Sequence, residues 1–221
     1  MVYRTHYPVN QTPVPRILLI LIATLAVGAL LASGTGQLPV RPGAIGLLLM
    51  LTSAGLARRH WQRQPPAEAT GSPERALWHG LASHGVLAGH LAMGTWMLAP
   101  AFDMHGALGH AIATDSWTLI LGALLSYAIA RDPAPRQDER DAAIASLGWR
   151  WAHGALLAML VALILGLGFG AGTALARASQ PMLAHLLILI LLAHVLVNFA
   201  VRLHLYTREA EADAAGEAPP A

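Results

Sequence analysis

The side chains best suited to chemistry in this sequence are imidazoles and thioethers. The chain carries 11 histidines, 7 methionines and no cysteine, so nitrogen and thioether sulfur could serve iron, copper or protons, but thiolate could not. Disulfides, thiolate metal sites, iron-sulfur clusters and cysteine nucleophiles are excluded. In one apolar stretch His79, His90, Met93 and Met97 fall within about 80° of one another at 100° per residue. Gly85 and Gly89 form a Gly-x-x-x-Gly on another side of it, which suits close packing of a neighbouring helix. Farther along, His194 and Asn198 share a face one turn apart, while His185 points to the opposite side.

Elements must hold these residues, and composition says of what kind. Of 221 residues 55% are apolar and 12% charged, with a mean hydropathy of +0.51. That is about half the charge fraction of an ordinary soluble domain, which excludes a disordered chain and argues against a soluble enzyme. The apolar residues fall into six blocks, at 16–31, 43–57, 76–98, 111–130, 149–169 and 182–206, each read against the roughly 20 residues that a helix needs to cross a bilayer. The predicted fold class is therefore all-α: a polytopic membrane protein with six transmembrane helices arranged as three hairpins. The block at 43–57 is the weakest. It reaches only about 22 Å at 1.5 Å per residue, so it must thin the bilayer or borrow residues 37–42.

Arginine placement tests that count independently. All 14 basic residues are arginine, against 12 acids, for a net charge of +2 and a pI of about 9.5. Cytoplasmic loops collect positive charge. With six spans and the amino terminus inside, Arg4, Arg16, Arg58, Arg59, Arg63, Arg75, Arg131, Arg136, Arg140, Arg150, Arg202 and Arg208 are cytoplasmic, and Arg41 and Arg177 lie outside. Deleting the second span would move Arg58, Arg59 and Arg63 to the wrong face. The basic balance thus reads as topology, with the lipid bilayer and other membrane subunits as partners and no nucleic acid. The location predicted is a bacterial inner membrane with both termini cytoplasmic. Polar, proline-bearing residues 3–15 make the first block an uncleaved span rather than a signal peptide. The acidic, alanine- and proline-rich segment 208–221 is expected to be a disordered cytoplasmic tail.

Depth decides which histidines could meet. Counted from span centres at about 1.5 Å per residue, His84 and His90 flank the midplane of the third span, and His194 lies near that of the sixth. His79, His153 and His204 are near the cytoplasmic surface, and His105, His110 and His185 near the outer one. Three readings stay open. A haem b would need two imidazoles facing across the bundle; His84 or His90 with His194 satisfies depth, and His153 could serve a second site. A copper(I) site at the outer rim would use Met104, His105, His110 and His185, a soft-to-borderline donor set, near Met93, Met97 and Met182. The third reading asks for no cofactor: the histidines hydrogen-bond across helices, to Ser83, Thr95, Ser126, Tyr127 or Asn198, and fix how spans pack.

Ahead of the fifth span stands Asp138-Glu139-Arg140-Asp141-Ala142-Ala143-Ile144. Over residues 131–208 the chain resembles small uncharacterised bacterial membrane proteins in which a cytoplasmic D-E-R-x-x-x-I motif leads into a transmembrane hairpin. That resemblance implies topology and carries no activity. Physically the motif also starts a helix, with Asp138 capping it and Glu139 and Asp141 in the first turn, where the dipole favours negative charge. In helix number and histidine placement the chain also resembles membrane cytochromes of the b561 type, although their matched histidine pairs on four consecutive helices are missing. The second and third hairpins look alike, with Ser83-His84-Gly85-Val86-Leu87 set against Ala152-His153-Gly154-Ala155-Leu156, the mark a parallel duplication would leave.

No P-loop, Rossmann glycine fingerprint, His-Glu-x-x-His or Gly-x-Ser-x-Gly occurs. The run Gly166-x-Gly168-x-Gly170-x-Gly172 reads as a helix end loosening into a loop. Asp103 and Asp115 are placed at the outer rim, so a carboxylate-driven proton or sodium antiporter is disfavoured for want of an acid at the midplane. Trp61, Trp78, Trp149 and Trp151 on the inner side, and Trp96 and Trp117 on the outer, read as interface anchors. The sequence thus predicts an integral inner-membrane protein without recognisable enzymatic activity or catalytic residues, serving as an accessory or regulatory subunit of a membrane complex. A bis-histidine b-type haem electron carrier and an outer-facing copper-binding protein are the alternatives.

Overall fold

The computed structural model describes residues 13–63, 72–99, 102–131, 139–173 and 175–216. They form six α-helices: α1 (Pro13–Ser33), α2 (Pro42–Arg63), α3 (Ser72–Leu98), α4 (Ala107–Ala130), α5 (Glu139–Phe169) and α6 (Gln180–Gly216), with a single 3-10 turn at Leu175–Arg177 and no strand among the described residues. Four helices are long and apolar enough to cross a membrane: α1 over Val14–Ser33, α4, α5, and α6 over Gln180–Arg208. This is consistent with a multi-pass membrane protein.

The two helices that fall short of that apolarity do so for different reasons. The last turns of α2 carry Arg58, Arg59, His60 and Arg63. α3 is the axis of the bundle, packing on α1, α6 and α4, and its His79, Ser83, His90 and Thr95 are buried. A helix that meets protein on several sides has less need of an apolar surface than one that meets lipid.

Side-chain contacts give the directions. Arg16 stacks on Trp78, and Thr24 and Leu25 lie against Gly85 and Gly89, so α1 and α3 run parallel. Gly43 faces Asp115 and Arg58 Nη1 donates to the Ile129 carbonyl, so α2 and α4 are parallel as well. Gly94 faces Ile112 across the α3–α4 hairpin, and Tyr206 and His194 reach Asp141 and Ala152 across an antiparallel α5–α6 pair. Successive helices therefore alternate in direction. Arg16, Arg58, Arg59, Arg63, Arg75, Arg131, Arg140, Arg202 and Arg208 gather at one end of the bundle, with Arg41 and Arg177 at the other.

The hairpins are units of sequence more than of packing. α1 and α2 touch each other little; α1 lies along α3, and α2 along α4. Glycines permit the first approach, since a Cβ at Gly28 would collide with the Val86 carbonyl and one at Gly89 with the Leu25 carbonyl. The interior is three apolar clusters stacked along the bundle. Leu77, Leu81, Ile144 and Leu203 lie toward the arginine-rich end, Met50, Leu87 and Leu119 in the middle, and Leu98, Phe102 and Ile112 at the arginine-poor end.

Some local expectations change. α6 continues through Gly216, where an irregular tail was expected from residue 208, because the segment's alanines and glutamates are strong helix formers; residues 217–221 lie outside the described ones. α5 opens with Glu139 and Asp141 in its first turn, and the Asp138 cap also lies outside the described residues. At the far end α5 stops at Phe169, and Gly172 takes φ +84° in the turn that follows.

Candidate functional site: buried polar groups of the bundle

The histidines expected to face one another point to different neighbours. His84 Nδ1 donates to the Gly80 carbonyl at 2.9 Å, and its ring packs edge-on against Phe199 at 5.3 Å. His194, 9% exposed, donates from Nδ1 to the Ala152 carbonyl of α5 at 2.9 Å and lies 5.4 Å from the Trp149 ring. A carbonyl only accepts, so each Nδ1 carries a proton in these bonds. Phe199 and His194 stand five residues apart on α6, about 140° around it. His84 therefore meets one side of α6 while His194 turns toward α5. His90 faces α4, and His153 is exposed on α5. These residues do not fit a haem held between His84 or His90 and His194. The two histidines matched by the hairpin likeness also occupy unequal places, His84 within the bundle and His153 on its surface.

At the arginine-poor end the soft donors divide. His105 and His110 are exposed. Met97, Met104 and Met182 pack around the buried Phe102, Leu98 and Ile112, and His185 stacks edge-on against Phe102 at 4.9 Å. Asp103 Oδ1 accepts from the His105 and Gly106 backbone amides at 2.9 and 3.0 Å, a turn that leads into α4. The thioethers thus enclose an aromatic ring. Among the described residues no three His, Cys, Asp or Glu side chains converge as a metal would require.

Burial singles out a different group. Asp115 is 2% exposed and His90 0%. His90 lies eight residues before the end of α3 and Asp115 eight residues after the start of α4, which puts both about 12 Å from the α3–α4 turn. Thr35, buried in the α1–α2 turn, donates to Asp115 Oδ2 at 3.1 Å. Asp115 Oδ1 and both ring nitrogens of His90 have no hydrogen-bond partner. Gly43 closes the site from α2, where a Cβ would stand 2.8 Å from Oδ1. Asp115, which counting along the chain puts near the outer end of its span, is enclosed by protein there. Its helical face would have announced this, since Gly109, Ile112, Ser116, Leu119, Gly122 and Ser126 on the same side are all buried.

Two other polar regions complete the interior. His79, 8% exposed and unpartnered at Nε2, lines a cavity of about 270 Å³ between α1, α2 and α3, together with Thr24, Met50, Ser53 and Ser83. At the arginine-rich end Tyr206 donates to Asp141 Oδ1 at 2.6 Å, with the Arg140 guanidinium 6.0 Å from its ring. Trp78 Nε1 donates to Glu74 Oε1 at 3.1 Å, and Arg16 covers the same indole at 5.0 Å. Burial raises the Glu74 carboxyl above its ordinary value, opposed by the Trp78 bond and by Arg16, Arg140 and Arg75. Arg140 and Asp141 of the D-E-R segment thus join α5 to α6. Comparison with protein families, curated proteins and solved structures returns no match.

Proposed function

We propose that this chain is a six-span protein of a bacterial inner membrane, both ends cytoplasmic, which acts as an accessory or regulatory subunit rather than as an enzyme. The alternating helix directions and the arginines at one end of the bundle support the count and the orientation. α2 and α3 belong among the spans because each runs beside an apolar neighbour in the same direction. His84 and His194 are each held by a backbone carbonyl and an aromatic ring within the bundle, which supports a role in packing for these two.

The observation that carries the subunit reading is the outer face of α5. This helix packs chiefly on α6, and a continuous stripe of Arg150, His153, Gly154, Leu157, Val161 and Ile164 is exposed. A Cβ at Gly154 would meet nothing within 4 Å, so another transmembrane helix could approach closely there.

The test uses the natural absence of cysteine. A Gly154→Cys chain in native membranes is treated with a bifunctional thiol reagent after cysteine-bearing positions of co-purifying membrane proteins are mapped. A cross-link to a second, different membrane polypeptide is expected. A product of twice the chain's own mass would replace the accessory role with self-assembly, and no product would overturn the subunit reading. A Soret band in the purified protein would return the haem alternative.

A further inference from the structure

We infer that His90 and Asp115 form a proton-binding pair, reached from the α1–α2 turn and tuned by Thr35. The inference goes beyond the subunit reading and does not depend on it: the one fails on a titration, the other on cross-linking. Asp115 Oδ1 has no partner in a side chain that is 2% exposed, and His90, 0% exposed, has only the Ile112 backbone within its reach, so neither group is fully paired. Buried donors and acceptors left unpaired cost about 1–3 kcal/mol each. A native bundle therefore keeps such a cluster when the groups gain a partner that protein atoms do not supply.

The partner that fits is a proton. The cluster offers one carboxylate, one imidazole and one hydroxyl, too few oxygens for the six or more that hard cations prefer. A carboxylate and an imidazole each take up a single proton and need no further ligand to hold it. The step is simple: one proton from water joins the pair, whose charge rises by one, and no other bond changes.

The surroundings leave few competing charges. From α1 the neighbour of His90 is the backbone at Gly28; from the α1–α2 turn comes Thr35, and from α2 Gly43. From α4 come the Ile112 backbone and the Asp115 charge, which acts on His90. Arg41, on the same turn as Thr35, is exposed. Residues 36–41 are exposed while Thr35 beneath them is buried, so a single layer of turn separates the pair from the aqueous side.

The full chain in lipid nanodiscs, with its aspartates carbon-13 labelled at the side-chain carboxyl, is examined by infrared difference spectroscopy through a pH titration. A protonated aspartic acid band is expected to grow on acidification and to vanish in Asp115→Asn. Thr35→Val removes the donor that favours the charged carboxylate and moves the midpoint toward alkaline pH by about one unit. His90→Gln moves it the same way. Midpoints unchanged in both Thr35→Val and His90→Gln overturn the pair, and so does a band that survives Asp115→Asn. A midpoint set by sodium concentration at constant pH would overturn the proton as the ligand. If Asp115→Asn does not fold, the two milder variants and the wild type still decide.

Discussion

A histidine's neighbours, more than its depth, determine what it can do here. His194 and His153 both sit on the α5–α6 hairpin, yet one is held by the Ala152 carbonyl and the Trp149 ring and the other faces outward. His194→Ala should therefore lower resistance to sodium dodecyl sulfate unfolding by about 1 kcal/mol, the scale of an interhelical hydrogen bond in membrane proteins. His153→Ala should change it by less than about 0.5 kcal/mol in the isolated chain. Equal losses would show that the Ala152 bond contributes nothing. Glu74 allows a test by pH. Its folded-state pKa is raised by burial, so the folded chain holds the proton more tightly than the unfolded one. Stability is then greatest below the unfolded value of 4.5, falls as pH rises from there through the folded pKa, and levels off above it. Glu74→Gln keeps an acceptor for Trp78 without the charge. Its melting temperature should exceed that of the wild type at neutral pH, with the difference closing as the pH falls toward 4.5; a difference independent of pH would refute the assignment to Glu74 burial.

Glycine decides how the elements approach one another. Gly89 lies where α1 crosses α3, and an added Cβ would collide with the Leu25 carbonyl, whereas one at Gly154 meets open space. Gly89→Ala should cost about 1–3 kcal/mol through overpacking, while Gly154→Ala should be neutral or slightly stabilising through helix propensity; detergent-unfolding midpoints of the two variants check this. The Gly85-x-x-x-Gly89 face was legible in the sequence because spacing alone defines it. The helices were legible too, since six apolar blocks and six described helices coincide. What hydropathy could not separate was contact with lipid from contact with protein. α4 meets the apolarity expected of a span although Asp115 lies buried within it, and α3 falls short because its polar residues face neighbours. The enclosure of Asp115 was illegible for the same reason: distance along a helix gives depth, whereas enclosure depends on Thr35 and Gly43, which come from a turn and a helix some 70 to 80 residues earlier in the chain. The haem pairing rested on depth counted along the chain, which says nothing of azimuth: His84 meets Phe199 on one side of α6 while His194 turns to Ala152 on another.

At the scale of the whole molecule, the end that gathers arginine decides orientation. The alternating directions put Leu38, in the α1–α2 turn, and Arg59, near the end of α2, at opposite ends of the bundle, and both are exposed. Positive charge is retained on the cytoplasmic side, so the two residues should lie across the membrane from each other. The chain holds no cysteine, so Leu38→Cys and Arg59→Cys each supply a single thiol. In spheroplasts a membrane-impermeant maleimide should label Leu38→Cys at once and Arg59→Cys only after permeabilisation. This pair tests α2 specifically, because without that crossing both thiols would lie on one side. Labelling of both in sealed spheroplasts would leave at most five spans and move the arginine cluster outward. Labelling of Leu38→Cys alone would place the buried pair one turn below the external water.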